Sequence, residues 1–110
     1  MLDLININIL RKCVKIDEKC IKDAFDKCKQ EVEVGRWRAD LKCGDLYIEI
    51  EPVDTVQCGL GQAMLWALSE GVPVALVLFG KKTDLPLEKI AKALPVLYID
   101  VDSKNVYHYP

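Results

Sequence analysis

Two glutamates, Glu49 and Glu51, constrain the fold of this chain more than any other feature. They lie in the stretch Arg36 to Trp66, RWRADLKCGDLYIEIEPVDTVQCGLGQAMLW. Strand side chains alternate faces, so Glu49 and Glu51 point one way while Ile48 and Ile50 point the other. Like charges at that distance repel, so an ordinary core strand does not carry two carboxylates on one side. A divalent cation removes the penalty, because hard cations take carboxylate and carbonyl oxygens. Asp40 precedes the tight turn Cys43-Gly44-Asp45, and the two glutamates follow it. The stretch therefore reads as a strand, a turn, a second strand and then a helix opening near Gly59. A solvated hairpin face of alternating polarity, common in antiparallel sheets, would also place acids here.

The flanking segments extend this unit into an α/β domain. Leu4 to Leu10 alternates Ile5, Ile7 and Ile9 with Asn6 and Asn8 and reads as a short strand, a helix reaching back from Arg11 being the alternative. Asp17 can cap a helix, and Ile21, Ala24, Phe25 and Cys28 recur at helical spacing, which predicts a helix from Asp17 to Gln30. Glu18 lies along the edge of that helix's apolar stripe; in the first turn the helix dipole alone would also favour an acid. Strand is expected from Glu31 to Arg38 with a bulge or bend at Gly35, continuing over Ala39 to Cys43. Asp45 to Glu51 returns antiparallel, and Pro52 stops the ladder.

A helix is predicted from Val56 or Gly59 to Glu70, ended by Gly71 and Pro73. Its expected buried stripe is Leu60, Ala63, Met64, Ala67 and Leu68, with Gln62, Trp66 and Ser69 beside it. Val74 to Phe79 is continuously apolar and reads as a strand buried on both faces. Gly80 to Thr83 is a loop, Leu87 to Leu94 a short helix, Val96 to Val101 a strand, and Val106 to Tyr109 a last strand after the turn at Asp102 to Asn105. This order implies one domain over residues 1–110, with a mixed central sheet and helices on both faces.

Charge and cysteine content narrow the function classes. The formal net charge of −2 argues against a coat protein that binds nucleic acid by charge alone. From Arg11 to Lys42, however, ten Lys and Arg stand against seven Asp and Glu, so the first half can offer phosphate a mildly basic surface. The longest apolar run is far short of the roughly 20 residues of a membrane span, and MLDLININIL lacks a leading basic region. A cytoplasmic (intracellular) location is expected. The five cysteines, Cys13, Cys20, Cys28, Cys43 and Cys58, show no CxxC pair and no zinc-like spacing, so most read as small core residues. Disulfides stay open as an alternative, since intracellular proteins of hyperthermophiles form them.

A helix, three strands with Asp40 on the middle one and Glu49-Ile50-Glu51 on the next, then a helix and a strand, resembles the PD-(D/E)XK nuclease superfamily. That is the restriction-endonuclease-like fold, whose core runs αβββαβ. The resemblance covers roughly Glu18 to Phe79. GLGQAMLWA resembles the helix that follows the motif in branches with a Gln near its start and an aromatic one turn later, here Gln62 and Trp66. Small archaeal Holliday-junction resolvases share the layout, including a glutamate on the first helix, here Glu18. The family's motif lysine falls at Glu51; some members carry this E-x-E version, and others move the lysine to a neighbouring element. Lys42 is the candidate for a migrated lysine, being two residues after Asp40 on the same strand face.

The resemblance implies a Mg²⁺- or Mn²⁺-dependent nuclease acting on DNA. Phosphodiester hydrolysis requires hydroxide delivered to phosphorus and charge stabilised on the leaving oxygen, and a Mg²⁺ held by carboxylates supplies both. Asp40 and Glu49 are the expected metal ligands, with Glu18 and Glu51 beside them and the Ile50 carbonyl as a further oxygen. Glu51 is also a candidate general base. Lys42, Arg36 and Arg38 are candidates to face phosphate, and Gln62 to orient water or phosphate. Arg36 and Arg38 can equally be an exposed strand face. A domain this small has few surfaces to grip a duplex, which with the resemblance implies a homodimer, formed through an exposed strand or the C-terminal hairpin. The alternative function is a module that keeps the fold for binding or protein interaction and has lost catalysis.

Overall fold

The computed structural model describes residues 1–81 and 83–110. Lys82, in the expected Gly80–Thr83 loop, lies outside the described residues. The chain forms α1 (Ile7–Lys12), α2 (Glu18–Ala24), β1 (Lys29–Val34), β2 (Trp37–Cys43), β3 (Leu46–Pro52), α3 (Val56–Glu70), β4 (Val74–Gly80), α4 (Leu87–Ile90), β5 (Val96–Asp100) and β6 (Val106–Tyr109). The six strands make one sheet in chain order. β1, β2 and β3 are antiparallel, β3, β4 and β5 are parallel, and β6 returns antiparallel on β5. The expected α/β class, with a mixed sheet flanked by helices, is what the chain adopts.

Two apolar layers cover the sheet. On one face α1 and α2 bring Leu10, Ile21, Ala24 and Phe25 onto Ile48, Ile50, Val77 and Ile99. On the other, α3 and α4 bring Ala63, Trp66 and Leu87 onto Leu76, Leu78, Val96 and Tyr98. β4 serves both layers, and Val74 to Leu78 are buried throughout, as its unbroken apolar run requires. Trp66 is fully buried, so it packs rather than stacks on a ligand.

Several expectations are corrected. Leu4 to Leu10 is not a strand: Asn6 caps α1, its side-chain oxygen accepting from the N–H of Asn8 at 3.0 Å and of Ile9 at 3.3 Å. The helix expected to reach Gln30 stops at Ala24, because the chain must turn through Phe25 to Cys28 to enter β1. Its start is as expected, with Asp17 accepting from Cys20 N–H at 2.8 Å. Gly35 is neither bulge nor bend within one strand; with φ +59° it forms, with Arg36, the two-residue turn between Val34 and Trp37. Residues 31–38 are thus the ends of two strands. The helix expected over Leu87 to Leu94 is one turn, Leu87–Ile90, followed by further turns.

The cysteines also depart from the core reading. Cys13 is joined to Cys20 and Cys28 to Cys43, which leaves Cys58 as the free thiol, exposed on α3. The first bond ties the end of α1 to α2. The second ties the start of β1 to the end of β2.

Candidate active site

Asp40 marks the place where β2 and β3 part. Their ladder runs through Cys43↔Leu46, Lys42↔Tyr47 and Leu41↔Ile48. At the next step a side chain replaces the backbone partner: Asp40 Oδ2 accepts from the N–H of Ile50 at 2.7 Å. The carboxylate is thereby fixed at the split, with a side-chain exposure of 14%.

Glu49 faces this split from β3. At 6% exposure it is the one charged residue among the described residues that is buried. Burial pushes its carboxyl up to about 9 from an ordinary 4.5, helped by a hydrogen bond with Asp40 and the charges of Asp40, Glu51 and Glu18. Glu18, on the first turn of α2, is also raised, first by desolvation and then by the charge of Asp40, with Lys22 working against the rise. The chain therefore brings Glu18, Asp40, Glu49 and Glu51 into one electrostatic neighbourhood, from three separate elements.

Glu51 completes the group from the same strand face as Glu49. Thr55 Oγ1 donates to its Oε2 at 2.6 Å. The first turn of α3 rests on its stem, since a Cβ at Gly59 would fall 2.6 Å from the Cβ of Glu51. Among the described residues, no three His, Cys, Asp or Glu side chains stand in an arrangement that could hold a metal ion. The reason is visible in the hydrogen bonds. Asp40 is turned to Ile50, and Glu51 is turned to Thr55.

The lysine at the acids is Lys22. Its Nζ lies 2.6 Å from Glu31 Oε1 and 3.8 Å from Asp40 Oδ1, with the side chain 13% exposed. Burial works against its charge, but the hydrogen bond to Glu31 and the charges of Glu18 and Asp40 prevail and raise its pKa. Lys42 instead sets its ammonium over the ring of Tyr47, 5.2 Å from the centroid. Arg36 lies over Trp37 at 5.9 Å, and Arg38 is exposed and sits across from Glu33. Gln62 is exposed on α3, less than one turn beyond Gly59.

Sequence reasoning placed the four acids but missed Lys22, Glu31, Thr55 and Gly59. One signal was present: Lys22 follows Glu18 by four residues and so shares its helix face. A cleft of about 730 Å³, lined by Ile16, Pro52, Val53, Phe79 and Val101 among others, opens at the carboxyl ends of β3 and β4; none of the four acids lines it. No helix among the described residues is long and apolar enough to cross a membrane. No protein-family model matches this chain, and neither does any curated protein or any solved structure.

Proposed function

We propose that this chain is a divalent-metal-dependent nuclease that hydrolyses phosphodiester bonds of DNA. The observation that carries the reading is the buried Glu49 carboxyl beside Asp40, with Glu18 and Glu51 close enough to raise it further. Burying a carboxylate among other carboxylates is costly unless a proton or a cation shares the site. The donors are all hard oxygens, which suits Mg²⁺ or Mn²⁺ by type. The element order α2-β1-β2-β3-α3-β4 also supports it, being that of the restriction-endonuclease-like core.

In this reading Asp40, Glu49 and Glu18, which do not converge on one point as they stand, would have to turn towards each other to hold the metal, with the Ile50 carbonyl as a further oxygen. When bound, it supplies a nucleophilic water of lowered pKa and charge for the leaving oxygen. The remaining roles belong to the chain itself. Glu51, oriented by Thr55, accepts a proton from the attacking water. Lys22 offers its ammonium to the non-bridging oxygens of the phosphate. Lys42, Arg36 and Arg38 contribute positive charge along the β1–β2 hairpin, where phosphates of a bound strand pass, and Gln62 offers an amide from α3.

The test is cleavage of single-stranded, duplex and branched DNA across a Mg²⁺ and Mn²⁺ titration. Metal-dependent cleavage lost in both Asp40→Ala and Glu49→Gln is the expected result. No cleavage of any substrate by the wild-type chain, or cleavage that survives both variants, overturns the reading. The occupancy of the family's lysine position by Glu51 favours a second reading, a DNA-binding module without catalysis. That module would bind DNA and leave it intact at every metal concentration.

A further inference from the structure

We propose that the outer face of α3 is a contact by which two copies of this chain pair, helix against helix and antiparallel. Thr55 to Ser69 contains no charged residue, in a chain where 29% of residues are charged. The inner side of α3 buries Gly59, Ala63 and Trp66. Cys58, Gly61, Leu65 and Leu68 are exposed on the outer side, Leu65 at 43% and Leu68 at 80%. Their successive spacings of three, four and three are those of a seam packed against another helix. Gln57, Gln62 and Ser69 are exposed on the same side, so the outer face of α3 is uncharged rather than wholly apolar, with its two leucines set among neutral polar groups. The centres of protein interfaces are likewise depleted in charge.

The chemistry of the face selects its occupant. Nucleic acid requires Lys or Arg to neutralise phosphate, and a helix lying on a membrane carries those residues on its polar face. α3 has neither. A two-fold contact sets a surface against itself, so any net charge on it repels; this face has none to repel. Its relief is also self-complementary. A Cβ built at Gly61 meets nothing within 4 Å, so this position is an open notch, and Leu68 projects seven residues further on. An antiparallel pair with its dyad between Met64 and Leu65 seats Leu68 of each copy on Gly61 of the other. A parallel pair would set leucine on leucine and notch on notch. The homodimer expected from the resemblance is thereby given a different surface, α3 in place of an exposed strand or the C-terminal hairpin. The inference does not depend on what the acids do.

The test is sedimentation velocity on the full chain from low micromolar to about 500 µM, a range that covers modest homodimer affinities. The wild type is expected to dimerise. Leu68→Lys and Gly61→Leu, the second filling the notch without touching the core, are expected to be folded monomers by circular dichroism. Two thiol variants fix the direction. Leu65→Cys in a Cys58→Ser background lies beside the dyad and is expected to form an intermolecular disulfide under copper–phenanthroline. Native Cys58 is not, since its two copies stand roughly 20 Å apart along the helix axes at 1.5 Å per residue. A wild-type monomer throughout, or a dimer that survives both Leu68→Lys and Gly61→Leu, overturns the proposal. Ready cross-linking through Cys58 with none through Leu65→Cys overturns the antiparallel pairing.

Discussion

The Cβ that Gly59 lacks would stand 2.6 Å from the Cβ of Glu51 and 2.9 Å from its Cγ. The first turn of α3 is thus laid directly on the stem of a candidate catalytic acid, and only a residue without a side chain allows it. Two effects compete in Gly59→Ala. Alanine gains about 1 kcal/mol of helix propensity. Overpacking against the root of Glu51, which cannot swing aside as a side-chain tip can, costs about 1–3 kcal/mol. The net expectation is a loss of about 1 kcal/mol, read as a lower urea midpoint at unchanged slope. A raised midpoint would show that α3 lifts off β3 without cost.

Glu49 sets a pH dependence whose sign is fixed by the direction of its shift. Its folded pKa of about 9 lies above the ordinary 4.5, so between those values the folded protein holds a proton that the unfolded chain has lost. The stability this proton contributes is fully present below about 4.5 and is lost as pH rises towards about 9. The metal-free protein is therefore expected to melt at progressively lower temperature across that window. Glu49→Gln, neutral at every pH, is expected to flatten the slope and to gain about 1–3 kcal/mol near pH 8. Mg²⁺ or Mn²⁺ is expected to raise the wild-type melting temperature, most at the alkaline end where no proton competes, and to leave the variant nearly unmoved. Thermal melts at several pH values check both statements; a wild-type profile flat over the window would refute the first.

The two disulfides make stability sensitive to reductant. Loops closed over separations of 7 and 15 residues restrict the unfolded chain by about 2 and about 3 kcal/mol in the chain-entropy account. Reduction is expected to lower the melting temperature by more than 10 °C, at about 4–8 °C per kcal/mol for a domain near this size. Cys28→Ser with Cys43→Ser is expected to account for the larger part. Equal melting in the presence and absence of dithiothreitol would contradict this.

What the sequence disclosed depended on whether a signal was local. The glutamates on β3 and the helix stop at Gly71 were legible, because alternation and a left-handed C-terminal glycine (φ +65°) are read within a few residues. The Ile5, Ile7, Ile9 alternation misled, since α1 is only six residues long and shows too little of its own period to outweigh a period of two. Leu68 was assigned to the buried stripe because α3 has no charged residue before Glu70 and carries apolar residues on its outer side too, so periodicity there fixes the phase poorly. Cys28 and Cys43 meet only through the register that sets Lys29 against Lys42, which no spacing rule contains. For the candidate site, the strands and helix that carry the acids were legible and their hydrogen bonds were not. Asp40 was placed on the correct strand, but its hold on Ile50 depends on where two strands separate.

Lys22 and Lys42 can be told apart by substitution. Sequence distance favoured Lys42, two residues from Asp40, but the ring of Tyr47 holds its ammonium. Lys22 reaches the acids from α2, and its 13% exposure makes its charge count for more than that of a solvated side chain. Lys22→Met leaves the shielded Asp40 without its nearby cation and leaves Glu31, 47% exposed, to water. The substitution is expected to cost about 1 kcal/mol. On the nuclease reading it is also expected to lower kcat by about 10²-fold or more, the scale of losing one electrostatic stabiliser. Lys42→Met is expected to change kcat by less than about 10-fold and to act mainly on KM, as a residue that faces phosphate at a distance from the reacting bond does. The reverse ranking would move the working lysine back to β2.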